Sequence, residues 1–534
     1  MEADYVIVGG GSAGCVMAAR LSEDPQVKVL LLEGGGGGGS FMVKMPAGTY
    51  KLIGRPKSDW LYELEPDASR GGRVQVWSGG RMLGGSSAIN GMVYIRGVRT
   101  DYDDWAADGC PGWGFSDVMP YFIKSERFAG PPSQAHGTHG PLAVSPPQTV
   151  HPLARAFVRA CGEIGLPMLD DYCDGDQYGA YLIWSTTDRG RRCSAYEAFL
   201  KPALNRPNLQ VVSEAEAERL TFDGKRVTGV RFRRAGASET CTARREVIVS
   251  GGAMGSPTLL LRSGLGPAAE LKAAGVEVLA DLPVGRNLQE HISIGMSKLV
   301  DQPTFNSPLG PLHMARYMFE FLALRRGPLT SPAVHAMAQA KSRPDMDVAD
   351  ISFSFLPLAV DYRARPPKMH DRPGVSISGL VCRPYTRGTI KLASGDPKQR
   401  PIIDYPTLGD ERDRIALRAA GRMVQDMFEA PALAQHVVGP GQPDRRLTTD
   451  EDWDAYIHER VGHGYHPVGT CRMGQPGASV VDPSLRVHGV AGLRVVDASV
   501  MPRLPSANTN APTIMIAEKA AETVREQARA APAS

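Results

Sequence analysis

Tyr5-Val6-Ile7-Val8-Gly9-Gly10-Gly11-Ser12-Ala13-Gly14 opens the chain, and Glu33 follows nineteen residues after Gly14. Tyr5–Val8 reads as a short buried strand, Ser12–Leu21 as a helix and Val27–Leu32 as a second strand, parallel to the first. Together they make a βαβ unit of about 30 residues. Gly9 permits a tight turn, Gly11 lets the backbone approach a pyrophosphate, and Gly14 lets helix and strand pack closely. The helix start supplies unpaired N–H groups and a partial positive charge. Glu33, at the end of the second strand, is placed to accept ribose hydroxyls. The stretch predicts dinucleotide binding; on its own it does not separate FAD from NAD.

Working outward, the whole chain has 534 residues, of which 59 are Gly and 42 Pro. Average usage would give roughly 37 Gly and 27 Pro. The surplus has no Gly-X-Y period, which excludes collagen. A hydrophobic share of 42% excludes a disordered chain. Much of the glycine is bunched at Gly9–Gly11, Gly34–Gly39, Gly84–Gly85 and Gly251–Gly252. Sixty basic and 57 acidic residues nearly cancel, so there is no nucleic-acid footprint. Eight scattered Cys without a C-x-x-C argue against a disulfide framework or structural zinc. No secretory signal and no apolar run of ~18 residues is present, so the expected location is cytoplasmic. The alternative is peripheral contact at the inner membrane through the short apolar helix Met314–Leu324, flanked by Arg325 and Arg326.

This length predicts two or three domains. Pro152–Gly165 has a helical pattern, and Leu209–Val212 and Val227–Arg234 alternate like antiparallel strands. Glu246–Ser250 reads as a buried strand, followed by a glycine turn and a helix over Ser256–Ser263. Asp350–Leu356 and Val375–Val381 suggest a sheet in a separate, inserted domain. Leu493–Asp497 is again a short apolar strand and Pro512–Ala528 a helix; the tail Ala528–Ser534 is expected to fray.

Two further glycine motifs lie in the loop-rich part and after the buried strand. One is Gly80-Arg81-Met82-Leu83-Gly84-Gly85-Ser86-Ser87-Ala88-Ile89-Asn90-Gly91-Met92-Val93. Its glycines, hydroxyls and amide suit a loop laid against a polar planar ligand. The other is Gly252-Ala253-Met254-Gly255-Ser256-Pro257, opening a helix. Near the C-terminus, Gly462-His463-Gly464-Tyr465-His466-Pro467 precedes Asp497-Ala498 and Asn508-Thr509-Asn510-Ala511-Pro512-Thr513. A site that moves a proton needs a base to take it and a hydrogen-bond partner for the atom it leaves. A His suits the first role and an Asn the second. His463 and His466 also sit at i, i+3, but no carboxylate or Cys at ligand spacing supports a metal site.

These segments resemble the glucose–methanol–choline family of FAD-dependent oxidoreductases, end to end and through Asn287-Leu288-Gln289-Glu290-His291. Within it the chain is most similar to choline-dehydrogenase-like and bacterial primary alcohol dehydrogenases. The resemblance implies an α/β fold: a Rossmann-like FAD domain with an inserted α+β substrate domain built on an antiparallel sheet. The FAD domain would use 1–150, 205–296 and 456–534, and the substrate domain 151–204 and 297–455. It implies His466 as catalytic base, Asn510 as the second catalytic group and Tyr465 in the substrate pocket. FAD would be held by Gly9, Gly11, Ser12, Ala13, Gly14, Glu33, Arg81, Gly85, Ser86, Asn90, Gly91, Met92 and Val93. Ala217, Asp497, Ala498, Pro512 and Thr513 would complete the cradle.

The implied reaction is oxidation of an alcohol to an aldehyde or ketone, most like a dehydrogenase. Hydrogen-peroxide-producing oxidation and the family's lyase and photodecarboxylase branches are the alternatives. The electron acceptor, whether a quinone, a cytochrome, a dye-type acceptor or O2, is left open. Two positions depart from the family. Ile89 stands where some members carry a flavin-linked His, so FAD is expected to be held without a covalent bond. Gly34–Gly39 replaces the more varied residues that follow Glu33 elsewhere.

Overall fold

A computed structural model describes residues 1–307, 310–361 and 368–530. Its parallel sheet is gathered from five distant stretches. Strand Glu2–Val8 lies between Val29–Leu32 and the end of Ala237–Val249. Leu209–Val212 adds outside Val29–Leu32, and Leu493–Val495 adds outside Val247–Val249. All four pairings are parallel. Val6, Ile7, Leu31 and Val247 are fully buried, so the strands read as continuous apolar runs. Each such side chain contributes about 1.5–3 kcal/mol of burial, against the entropy of ordering the chain.

Leu209–Val212 corrects the antiparallel reading of that stretch, since it runs parallel to Val29–Leu32. It is the outermost strand and Gln210 faces solvent, which produces an alternation like that of an antiparallel strand. The antiparallel reading fits its neighbours instead: Arg226–Arg234 pairs with Glu216–Asp223 and with the first half of Ala237–Val249.

A second seven-stranded sheet is antiparallel throughout. Its order is Val437–Gln442, Ile292–Val300, Gly374–Val381, Ile351–Leu356, Ala336–Ala340 and Gly179–Leu182. Gly462–His463 pairs with the start of Ile292–Val300. The domain boundary expected at 296 therefore falls inside a strand, and the C-terminal segment lends a short strand to this sheet. Helix Glu411–Glu429 buries Leu417, Ala420 and Val424 against it.

Helix Ser12–Leu21 has the predicted bounds and packs on the C-terminal helix Asn510–Ala530. Arg20 makes a two-pronged ion pair with the fully buried Glu518 there, at 2.9 and 2.7 Å. Met314–Leu324 spans the end of helix Pro311–Phe319, which has no buried residue, and a turn at Glu320–Leu324 that seats Phe321 edge-on to Phe41. No helix among the described residues is long and apolar enough to cross a membrane. Residues 531–534 of the expected frayed tail lie outside the described residues.

Candidate active site

The N-terminal turn is built by contacts that only glycine allows. Gly9 has φ +104°, and a Cβ there would sit 2.4 Å from the Ser250 carbonyl oxygen. A Cβ on Gly14 would sit 1.8 Å from the Gly9 carbonyl oxygen. Gly11 is different, because its Cβ would meet nothing nearer than 4.0 Å. Helix Ser12–Leu21 begins beside that open space with no side-chain cap, and Ala13 and Gly14 are buried in its first turn. The buried Ser250 hydroxyl nearby has no hydrogen-bond partner among the described residues. An uncapped helix start, an open backbone face and an unpaired hydroxyl fit the diphosphate end of FAD.

Glu33 is buried and ties this turn to the next. Its carboxylate accepts from the amides of Gly10 and Gly35, both at 2.7 Å. Burial raises its pKa, opposed by those two amides. The glycine run divides by contact. A Cβ on Gly35 would strike the Arg81 backbone at 2.2 Å, and one on Gly38 the Leu83 carbonyl oxygen at 2.0 Å. Gly36 and Gly37 have open space around them. The run is thus laid against Arg81–Leu83, where Leu83 N–H donates to the Gly36 carbonyl at 2.9 Å.

The second motif lies back to back with the first. A Cβ on Gly85 would come within 2.7 Å of the Gly11 Cα. Ser86 Oγ accepts from Gly80 N–H, and Arg81 stacks its guanidinium 4.6 Å from the centre of the Trp60 ring. Asn90 Oδ1 accepts from the Met92 amide at 3.1 Å, Gly91 has an open Cβ direction, and Met92 takes φ +62°. Val93 pairs with Ser185. Ile89 is buried with Val43, Leu52, Met82 and Ala88.

Beneath this loop lies Arg192, which the sequence did not mark. It is buried and donates to the carbonyls of Val43, Ser87 and Asn90, to Asn90 Oδ1 and to Thr49 Oγ1. Burial without a carboxylate partner lowers its pKa to about 9. Ala217 is partly buried on the ribbon strand Glu216–Asp223, next to Glu216, whose Cα faces Gly34.

On the far side, Asp497 accepts from Gly252 N–H at 2.8 Å, from Ser256 Oγ at 2.5 Å and from Ser499 N–H at 2.8 Å. It locks the third glycine motif to the turn at Ala498–Val500. Pro512 and Thr513 are buried in the first turn of helix Asn510–Ala530, where Thr513 Oγ1 donates to the Thr509 carbonyl.

His466 stands where three segments meet. Strand pairing sets Ile292 opposite His463, and Gly464 N–H donates to the His291 carbonyl at 2.8 Å. The chain then turns at Tyr465, in the left-handed region at φ +59° and half-exposed. Gly464 is required here, since a Cβ would lie 2.7 Å from His466 Nδ1 and 3.0 Å from His291 Cβ. The His466 amide donates to the buried Glu290 carboxylate at 2.8 Å. Burial pushes Glu290 up to about 8, against the amides of His466, His291 and Gly464.

The imidazole is held from both sides. His466 Nδ1 lies 3.0 Å from His291 Nδ1, and His466 Nε2 lies 2.9 Å from Asn508 Nδ2. Burial lowers the His466 pKa to about 4, so the ring is neutral near pH 7.

The expected pairing of His466 with Asn510 is therefore not the one observed. Asn508 meets His466, whereas Asn510 Oδ1 accepts from Ser12 Oγ at 2.9 Å. The reason is local geometry. Asn510 begins the C-terminal helix and faces the start of the N-terminal one, while Asn508 lies two residues earlier on the approach to it. His463 also parts from His466. Its ring packs on Trp77 and Tyr405, with Thr407 Oγ1 at 3.3 Å from Nε2.

Glu290 and His291 also meet His466, and their motif in the sequence carries no signal for either contact. Asn287 and Gln289 of that motif donate to the Pro502 carbonyl, and Gln289 accepts from Leu504 N–H. They thereby steer the segment that delivers Asn508.

Comparison with known proteins agrees with this architecture. Two GMC oxidoreductase family models match residues 3–293 and 384–517. The chain is 38% identical over 528 residues to an oxygen-dependent choline dehydrogenase of Brucella ovis, covering 98% of this chain and 96% of the relative. It is 39% identical to human mitochondrial choline dehydrogenase, covering 98% and 90%. Among solved structures, pyridoxine 4-oxidase from Mesorbium loti superposes with a TM-score of 0.89 at 32% identity, over 98% of this chain and 99% of that one. A variant formate oxidase of Aspergillus oryzae studied for FAD modification gives 0.93 at 26% identity, over 99% of both. The chain belongs to the GMC oxidoreductase family, as an FAD-dependent oxidoreductase acting on CH–OH donors.

Proposed function

We propose that this enzyme oxidises a primary alcohol to the aldehyde as a dehydrogenase, with His466 and Asn508 as the groups that handle the hydroxyl. The 2.9 Å contact between His466 Nε2 and Asn508 Nδ2 carries this reading. An alcohol oxygen entering between them donates its proton to Nε2 and accepts a hydrogen bond from the Asn508 amide. His466 is neutral near pH 7, as a proton acceptor must be. Glu290 fixes the backbone of the His466 turn, so the ring meets the alcohol in one orientation. When bound, FAD supplies the hydride acceptor, and it would be held by the Gly9–Gly14 turn, the Gly80–Val93 loop and the turns at Asp497 and Pro512.

The names of the relatives make choline the first substrate to try, and Tyr465 beside His466 is the proposed pocket wall. A second reading, with O2 as acceptor, has the support of neighbours named as oxidases. The test is anaerobic mixing of the flavin-loaded protein with a panel of primary alcohols, then reoxidation by a quinone, a dye or O2. Bleaching by an alcohol with slow reoxidation by O2 fits the dehydrogenase reading. Fast reoxidation by O2 favours the oxidase, and no bleaching by any alcohol contradicts both.

A further inference from the structure

The His466 site contains a second imidazole with no assigned role. His291 is buried, with Nε2 lying 3.0 Å from the Cys382 carbonyl oxygen and Nδ1 lying 3.0 Å from His466 Nδ1. The two rings meet edge to face, with centroids 5.2 Å apart.

A carbonyl oxygen can only accept, so His291 Nε2 carries the hydrogen in that contact. A neutral imidazole has one N–H and one bare nitrogen. His291 is held neutral by burial and by the neighbouring His466. Its Nδ1 is then bare and must accept. Two ring nitrogens 3.0 Å apart need one hydrogen between them, and His466 Nδ1 is the atom left to supply it. That puts the hydrogen of His466 on Nδ1 and leaves Nε2 with its lone pair. The Asn508 amide, which faces Nε2 with its donor nitrogen, agrees with this assignment.

We propose that His291 is a positioning residue that fixes His466 as its Nδ1–H tautomer and leaves Nε2 as the proton acceptor. The donor direction then runs one way, from Asn508 to His466 to His291 to the Cys382 carbonyl. The wrong tautomer would point an N–H at the alcohol and could not take its proton. The role of Nε2 in turnover rests on the proposed function, but the resting tautomers do not.

The test is nitrogen NMR on the flavin-loaded enzyme labelled with 15N-histidine, with signals assigned by their loss in H466Q and H291N. The expected result is a protonated Nδ1 and a bare Nε2 on His466, with the reverse on His291. A His466 protonated at Nε2 overturns the proposal. So does a His291 protonated at Nδ1, with the nearby Pro505 carbonyl as its acceptor. In H291L the acceptor is lost, and His466 is expected to shift toward the Nε2–H form. Flavin reduction by alcohol is expected to slow about 10²-fold, the lower end for loss of a general base. In H291N the side-chain oxygen takes the place of Nδ1 and is expected to restore both the tautomer and most of the rate. An unchanged tautomer in H291L overturns the proposal; if that variant does not fold, the wild-type spectrum decides alone. Full alcohol-dependent reduction in H466A would defeat the base assignment while leaving the tautomer result standing.

Discussion

The proposed cofactor cradle at Gly9–Gly14 and the proposed alcohol site at Gly464–His466 obey opposite rules. The cradle is made by removing side chains, so that backbone lies on backbone at Gly9 and Gly14 and an open face remains at Gly11. The proposed alcohol site is made by adding them, with His291 and Asn508 converging on one imidazole from two distant segments and Glu290 holding the backbone amide of the same residue. A pair of near neighbours links the two regions. Asn510 reaches back to Ser12 in the cradle, and Asn508, two residues away, reaches His466. A cradle of backbone can be written in ten consecutive residues, whereas the convergence of side chains depends on the whole fold.

The largest expected effect lies at the alcohol site. H466A should lower the rate of alcohol-dependent flavin reduction by roughly 10²–10⁴-fold, measured by anaerobic stopped flow, while leaving the FAD spectrum intact. The two asparagines sharpen the comparison. N508A should cost about 10²-fold in the same step, because the alcohol oxygen loses its donor. N510A should leave that step within about tenfold and act instead on FAD retention, because its partner is Ser12.

Gly464 is the one place where the alcohol site obeys the cradle's rule. G464A puts a Cβ where His466 Nδ1 stands, and activity is expected to fall with little loss of bound FAD. Within the cradle, G9A and G14A should fail to fold or lose FAD, whereas G11A should fold and bind FAD more weakly, read by thermal melting with and without added cofactor.

The pH dependence follows from His466. Its pKa is lowered to about 4, so the proton-accepting form persists to lower pH than an ordinary histidine would allow. The limb of the kcat/KM profile that belongs to His466 should lie near pH 4, well below any step from Glu290, whose carboxyl is pushed up to about 8. An acid limb centred near 6.5 would mean that the free enzyme's base sits in a wetter site than this one.

The smallest effect belongs to the glycine run after Glu33. G36A and G37A meet open space and should be neutral, or stabilising by about 0.4–1 kcal/mol each through the unfolded chain. G35A and G38A strike backbone and should destabilise. The run is therefore only partly constrained, with two positions pinned by Arg81 and Leu83 and two that are free.

The same contrast explains what could be read in advance. Strand, turn, helix and acidic residue are local, so helix Ser12–Leu21 falls where the periodicity puts it, and the buried runs at Val29–Leu32 and Leu493–Val495 fall close to their predicted places. Leu209–Val212 misled because an outer parallel strand alternates like an antiparallel one. His466 could be assigned from its motif, but its partners could not. Asn508 and Asn510 are the same residue type two positions apart, and only the start of the C-terminal helix decides which one faces the imidazole. His291 is brought there by pairing of Ile292 with His463, a contact across 171 residues. Arg192 follows no motif, because its partners are mostly backbone carbonyls.

The central claim, that His466 and Asn508 form the alcohol site, is tested most directly by one anaerobic experiment. Wild type, H466A, N508A and N510A are each loaded with FAD and mixed with the best primary alcohol of the panel, and flavin bleaching is followed. The account predicts fast bleaching in wild type and N510A, and bleaching slowed about 10²-fold or more in H466A and N508A. Wild-type bleaching in H466A, or a greater loss in N510A than in N508A, would contradict it.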